Sequence, residues 1–181
     1  MKKILTLGAS NSSTSINQQF ATYVAQQIDD AVVTVLDLND FEMPIYGVDR
    51  ERAEGIPAKA QEFIDIIAEH DAVVVSFAEH NGSYTAAFKN VSDWASRVRK
   101  DVWQNRPFFA LSTAPGPRGG INVMGNVRQY LPRMGANIVA YFSLPKFREY
   151  FSKTEGITNL ELSTSFKEQL VLFKESILQE A

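Results

Sequence analysis

The sequence predicts an α/β protein, a single layered domain in which helices cover both faces of a five-stranded parallel sheet. Three observations carry this. Short apolar, β-branched runs alternate with stretches of helical apolar spacing along the whole 181-residue chain, and parallel strands need such crossover connections. The run AVVVSF at 72–77 has no polar alternation, as expected of a strand buried on both faces. A hydrophobic content of 45%, with no internal repeat and no linker, suits one compact domain over 1–181.

The elements follow in order. ILTL (4–7) opens as a strand, and Ser15 then caps a helix in which Ile16, Phe20, Tyr23, Val24 and Ile28 recur at helical spacing. VVTVLDL (32–38) is the second strand, and 39–47, with Pro44 in it, is loop. Pro57 suits the first turn of a helix carrying Phe63, Ile64, Ile67 and Ala68. AVVVSF belongs near the centre of the sheet, followed by a helix over about 84–99. The strand FFALST (108–113) leads through APGPRGG into a helix over about 120–134, then the strand NIVAYFSL (137–144) and a last helix over about 159–179. Residues 146–156 form a long polar connection with no assigned structure. Five strands joined in this way suggest the flavodoxin-like order 2-1-3-4-5 in a three-layer sandwich. Ligands of such sheets lie outside the carboxyl ends of the strands, beside the first strand.

Composition excludes several functions. Lys and Arg number 18 against 21 Asp and Glu, for a net charge of −3, and no basic run resembles a nucleic-acid footprint. Cysteine is absent, which removes disulfides, thiolate nucleophiles and iron–sulfur ligation, so redox chemistry must come from a bound cofactor. No triad, metal-ligand cluster or poised carboxylate pair stands out, so neither a catalytic side chain nor a metal site is assigned. The apolar run near the start is too short for a signal-peptide core, and no stretch approaches the ~20 residues of a membrane span. The expected setting is cytoplasmic, without membrane or nucleic-acid partners.

Three loops should meet at the carboxyl edge. ASNSSTSIN (9–17) is uncharged, rich in hydroxyls, and delivers the chain into a helix whose first N–H groups lack internal partners. Such an end attracts a phosphate through its free donors and the helix dipole; a polar loop with an ordinary Ser15 or Thr14 cap explains it equally well. It is neither a Walker loop nor GxGxxG. The second loop, 78–83, holds Asn81-Gly82, a pair that tolerates positive φ and lets backbone approach a ligand, or that makes a plain tight turn. Glu79 and His80 could serve as acid or base, or stand in solvent. The third loop, STAPGPRGG, would expose backbone donors around Gly116, Gly119 and Gly120 to a ring or pyrophosphate, or be a simple strand-to-helix turn.

Together the three segments resemble the NAD(P)H-dependent FMN reductase family, which includes related quinone, azo-dye and chromate reductases. A first motif, roughly GSxRxxSxN, is matched by ASNSSTSIN, with Ser10, Ser15 and Asn17 in place. A second, roughly PEYNGSxPxxxKNxxDW, is matched by AEHNGSYTAAFKNVSDW and is the most specific. A third, a Ser followed by PGxxGG, is matched by STAPGPRGG, and an LPxY-like segment stands at Met43-Pro44-Ile45-Tyr46. The resemblance implies a flavin-binding domain with FMN and NAD(P)H as cofactors. Ser10, Ser12, Ser15, Ile16 and Asn17 would hold the phosphate side. Glu79, His80, Asn81 and Gly82 would flank the ring, with Ser112, Pro115, Gly116 and Gly119 on the other side. Lys89, Asn90, Asp93 and Trp94 would support the second loop.

The same resemblance implies hydride transfer from a reduced nicotinamide to FMN, then to a quinone, flavin or similar small acceptor, with the protein supplying position and shielding. It also implies a homodimer or homotetramer. The sequence departs from the pattern where Ser12 and Asn122 replace arginines, and where Ala78 and His80 replace a Pro and a Tyr. Arg118 is a candidate to restore the missing charge. Two other readings stand beside this one: a flavin-binding or electron-carrier protein that does not turn over nicotinamide, and a nucleotide-binding enzyme that uses Glu79 as nucleophile or base.

Overall fold

The computed structural model describes residues 1–179. Its strands are β1 (Lys2–Ala9), β2 (Ala31–Leu36), β3 (Ala72–Phe77), β4 (Pro107–Thr113) and β5 (Asn137–Leu144), with a short pair β6 (Phe151–Ser152) and β7 (Gly156–Ile157). Its helices are α1 (Ile16–Ala25), α2 (Val48–Glu54), α3 (Ala58–Ala68), α4 (Ala86–Val98), α5 (Ile121–Tyr130), α6 (Phe147–Tyr150) and α7 (Leu160–Gln179). The main sheet is parallel throughout, in the order β2-β1-β3-β4-β5. This is the flavodoxin-like order expected from the alternation of elements.

Side chains alternate across the sheet with the strand period of two. Leu5, Leu7, Val73, Val75, Phe77, Phe108 and Ala110 enter an apolar layer beneath α3, α4 and α5. Ile4, Ala72, Val74, Phe109 and Leu111 enter the opposite layer beneath α1 and α7. Every residue of β3 and β4 is buried, which is why these two strands read as continuous apolar runs. The edge strand β2 leaves Val32 and Val35 exposed.

Local chemistry moves several boundaries from where spacing alone puts them. The second strand stops at Leu36, not 38, because Asp37 caps a 3₁₀ turn over Leu38–Phe41, its Oδ1 accepting the Asn39 N–H at 2.9 Å. α4 begins at Ala86 because the Thr85 hydroxyl accepts the Phe88 N–H at 3.2 Å. α5 tightens into a 3₁₀ turn at Leu131–Met134, where Pro132 has no N–H to continue the α-helical ladder. The polar connection 146–156 holds α6 and the β6–β7 hairpin.

α2 lies inside a stretch that shows no apolar period, because it buries no residue. Its anchor is Glu51, whose carboxylate accepts from Arg97 Nε at 3.0 Å and from the Tyr46 hydroxyl at 3.1 Å. Burial, reinforced by this hydrogen bond to Glu51, pushes the Tyr46 phenol up. The preceding segment is held by α4: Asn90 Nδ2 donates to the Met43 and Pro44 carbonyls, its Oδ1 accepts the Tyr46 N–H, and Trp94 Nε1 donates to the Pro44 carbonyl at 2.7 Å. Asn90 and Trp94 are therefore structural. Lys89 and Asp93 form an exposed ion pair on the same helix. Among the described residues no helix is long and apolar enough to cross a membrane.

Candidate functional site: a cleft at the carboxyl edge of the sheet

The first loop leaves β1 at Ala9 and folds on its own hydroxyls. The Ser12 N–H donates to Ser10 Oγ at 3.2 Å, the Thr14 N–H to Ser12 Oγ at 3.4 Å, and the Ser15 N–H to the Ser12 carbonyl at 3.1 Å. Ser15 is the N-cap of α1, its buried Oγ accepting the Gln18 N–H at 3.1 Å. The N–H groups of Ser13, Ile16 and Asn17 find no acceptor among the described residues. These free donors, with the positive end of a ten-residue helix behind them, form an anion-attracting cradle without any cation in the loop.

The next two side chains stitch that helix to the sheet. Asn17 is buried; its Oδ1 accepts from Ser76 Oγ at 2.7 Å and the Thr113 N–H at 3.1 Å, and its Nδ2 donates to the Thr113 carbonyl at 3.2 Å. Thr113 lies one residue past the last register pair of β3 with β4, Phe77 with Ser112, so the Asn17 amide supplies the next rung of the ladder. Gln18 does the same on the other side, where its Oε1 accepts the Gly8 N–H just beyond the last pair of β1 with β2.

The second loop closes as a two-residue hairpin. His80 and Ser83 exchange both backbone hydrogen bonds at 3.0 Å, and Asn81 and Gly82 occupy the tip with φ of 50° and 79°. Positive φ at both positions is the type I′ geometry that Asn-Gly favours. Just beyond it Tyr84 packs against Phe77 and Phe88, and burial there pushes its phenol up, with Tyr130 adding to the shift. Thr85 Oγ1 donates to the Ala9 carbonyl at 3.0 Å, tying this loop to the end of β1. Glu79 is engaged from the far side: its carboxylate accepts from Asn122 Nδ2 at 3.1 Å and the Val123 N–H at 2.9 Å.

The third loop is pinned from behind. The buried Ser112 hydroxyl donates to the Gly119 carbonyl at 2.8 Å and meets Ser143 Oγ at the same distance. The Ala114 and Gly116 carbonyls accept the Phe147 and Lys146 N–H groups. Arg118 is exposed and makes no ion pair among the described residues.

The three loops enclose a cleft of about 260 Å³, lined by Ser10, Ser12, Ser15, Ile16, Asn17, Glu79, His80 and Pro115 of the expected residues, together with Thr14, Ala78, Thr113 and Ala114. Asn81, Gly82 and Gly116 stand in the same loops but outside this lining. Ser112 and Gly119 are buried behind the wall and position it. On the outer side of the first loop runs a larger groove of about 610 Å³, which brings Asp37, Phe151 and Lys153 up to Ser10, Ser12 and Thr14. Lys153 is thus a cation near the hydroxyl loop that sequence reasoning missed. It lies within the unassigned connection, in the turn between β6 and β7, and only the packing of that hairpin brings it here. No group of three or more His, Asp or Glu close enough to hold a metal ion occurs among the described residues.

The fold and the cleft define a doubly wound α/β protein with its ligand site where such sheets place it, outside the carboxyl ends of the central strands. The chain belongs to the NADPH-dependent FMN reductase family, whose model matches residues 2–149. It is 29% identical over 98 residues to a quinone reductase of Escherichia coli (strain K12), a match covering 54% of this chain and 52% of that protein. The alignment thus spans about half the length of that relative. A Mycoplasma pneumoniae protein, the MG342 homolog, is 32% identical over 164 residues, covering 88% of this chain and 96% of its own. Among solved structures, the flavoenzyme NAD(P)H:(acceptor) oxidoreductase FerB of Paracoccus denitrificans superposes with a TM-score of 0.77 at 22% identity, covering 99% of this chain and 98% of that one.

Proposed function

We propose that the protein is an FMN-dependent NAD(P)H oxidoreductase acting on a quinone, free flavin or similar small acceptor. The observation that carries this is the cleft itself: a cradle of unpaired N–H groups and neutral hydroxyls at the start of α1, continuous with two backbone walls beside it. These residues fit FMN. The Ile16 and Asn17 N–H groups and the hydroxyls of Ser10, Ser12 and Thr14 are donors for its phosphate. Ala78, Glu79 and His80 on one side and Thr113, Ala114 and Pro115 on the other form the walls against which a flat ring would lie. Bound there, FMN would supply the two-electron chemistry, accepting hydride from a reduced nicotinamide and passing electrons on.

The chain's own part is to bind, orient and shield. Asn17, Ser112 and Thr85 hold the three loops at fixed separations through buried hydrogen bonds. With its carboxylate occupied by Asn122 and Val123, Glu79 is already committed to two donors, which disfavours the reading in which it attacks a nucleotide substrate.

A cleft of about 260 Å³ in one chain is smaller than the roughly 300–1,000 Å³ of most small-molecule pockets. We propose that a second copy completes its open side, making the active form a homodimer or homotetramer; a flavin-loaded protein that sediments as a monomer at full activity would exclude this. The decisive measurement for the function is a visible absorbance spectrum of the purified chain with added FMN, then with NADH or NADPH under nitrogen, then with a quinone. A perturbed flavin band that bleaches with nicotinamide and returns with quinone is the expected result. Binding of FMN without bleaching by either nicotinamide would make the chain a carrier instead, and no binding would overturn the flavin assignment.

A further inference from the structure

Helix α5 starts at Ile121 behind Gly120, a residue with no side chain to cap it, and no side-chain cap comes from its own N-terminal neighbours. The first N–H groups of such a helix need an acceptor. One comes from 44 residues away in sequence: Glu79 Oε2 accepts the Val123 N–H at 2.9 Å, while Oε1 accepts from Asn122 Nδ2 at 3.1 Å. One turn further along the same helix face, Asn126 Nδ2 donates to the Gly82 carbonyl at 3.2 Å. Two asparagines spaced i,i+4 on α5 thus hold the second loop, Asn122 at Glu79 just before the hairpin and Asn126 at Gly82 in its tip. Within itself it has only the His80–Ser83 pair of hydrogen bonds to hold its shape.

We propose that Glu79 is a positioning residue, which caps α5 from the second loop and so holds the two walls of the cleft in register. α5 begins where the third loop ends, so a carboxylate anchored in its first turn fixes the 79–82 wall against the 114–119 wall. A carboxylate also suits the positive end of the helix dipole. Both of its partners are neutral, Asn122 standing where the family pattern would put a cation. Glu79 in turn lines the cleft, so its charge is carried at the wall rather than cancelled in an ion pair. The clamp stands on these hydrogen bonds alone; its consequence for the cofactor rests on the flavin reading.

The test compares Glu79→Ala, Glu79→Gln and the exposed Asn122→Ala with the wild-type chain. Native-state amide exchange of the free protein comes first, followed by FMN titration through quenching of flavin fluorescence. In Glu79→Ala the Val123, His80 and Ser83 amides are expected to exchange at least tenfold faster, and the FMN Kd to rise at least tenfold. Glu79→Gln keeps an oxygen acceptor for Val123 and is expected to restore both to within about threefold. With the negative charge gone from the wall, it should also raise the midpoint potential of the bound flavin, a shift that a purely structural role would not produce. Asn122→Ala changes a solvent-exposed side chain and serves if Glu79→Ala does not fold; its expected effect is at least threefold faster exchange at Val123.

Amide exchange at these three positions within twofold of wild type in Glu79→Ala, or at Val123 in Asn122→Ala where the first does not fold, would overturn the clamp. Faster exchange with an unchanged FMN Kd would overturn its role in holding the cofactor. If the wild-type chain binds no FMN, the functional reading fails, while the exchange data still decide whether Glu79 holds the loop.

Discussion

Asn17→Ala is expected to cost about 4 kcal/mol of folding stability, because it strands several buried polar groups at once. The Ser76 hydroxyl, the Thr113 N–H and the Thr113 carbonyl all lose their partner, and Ser76 and Thr113 are buried. Each abandoned group costs about 1–3 kcal/mol, and the site cannot relax without moving β3 or β4. Urea denaturation should show a large fall in midpoint with an unchanged slope. Two companion variants give the prediction its shape. Ser76→Ala leaves Asn17 Oδ1 still satisfied by Thr113 and should cost only about 1 kcal/mol. Asn17→Asp keeps the acceptor but faces the Thr113 carbonyl with an oxygen in place of the Nδ2 donor, and should be nearly as damaging as Ala. A loss below about 1 kcal/mol in Asn17→Ala would mean that the amide is not completing the sheet.

Gly8→Ala is the second large effect, and it acts by volume rather than polarity. A Cβ at position 8 would lie 2.7 Å from Gln18 Cα and 3.0 Å from Asn17 C, and closer still to Gln18 N. All three are backbone atoms of the first turn of α1, so no side chain can rotate out of the way. The helix would have to lift from β1, breaking the Asn17 and Gln18 stitches and opening the cradle of N–H groups at the start of α1 with them. Overpacking of this kind costs about 3 kcal/mol or more when backbone must move. The expected result is a sharply lowered melting temperature, and in whatever fraction folds, FMN binding weaker by at least tenfold. A variant with wild-type stability would show that α1 sits further from β1 than this close approach requires.

Both predictions concern residues whose role the sequence displays only in outline. Asn17 stands in the hydroxyl-rich loop, and the family resemblance groups it with Ser10, Ser12 and Ser15 as a phosphate contact. Its side chain instead faces β4, and only its backbone N–H is free toward the cleft. Ser112 differs in the same way: the resemblance sets it beside the ring, yet its hydroxyl is turned inward to the Gly119 carbonyl. A linear pattern names which residues are near a site; it does not say which way an amide or hydroxyl points once strands have unequal lengths.

What the sequence determined by itself is everything that repeats locally. Continuous apolar runs marked β3 and β4 because both faces of a central parallel strand are buried. Strand–helix alternation set the parallel order, and Asn81-Gly82 announced a turn with positive φ because few other pairs adopt one without strain. The three loops met where the fold puts its switch point, so the cleft and most of its lining residues were legible before any coordinate.

What only the tertiary structure decided are the contacts between segments far apart in the chain. Helix α2 carries no apolar period, being held by Glu51 to Arg97 and Tyr46 rather than by burial. Lys153 reaches the hydroxyl loop through a hairpin with no sequence signature, and Glu79 caps a helix that begins 42 residues later at Ile121, with its anchoring hydrogen bond to Val123 spanning 44 positions. Periodicity records which face of an element is buried. Hydrogen bonds between polar side chains and distant backbone leave no period, because each depends on one residue meeting one vacancy that exists only after the sheet has formed.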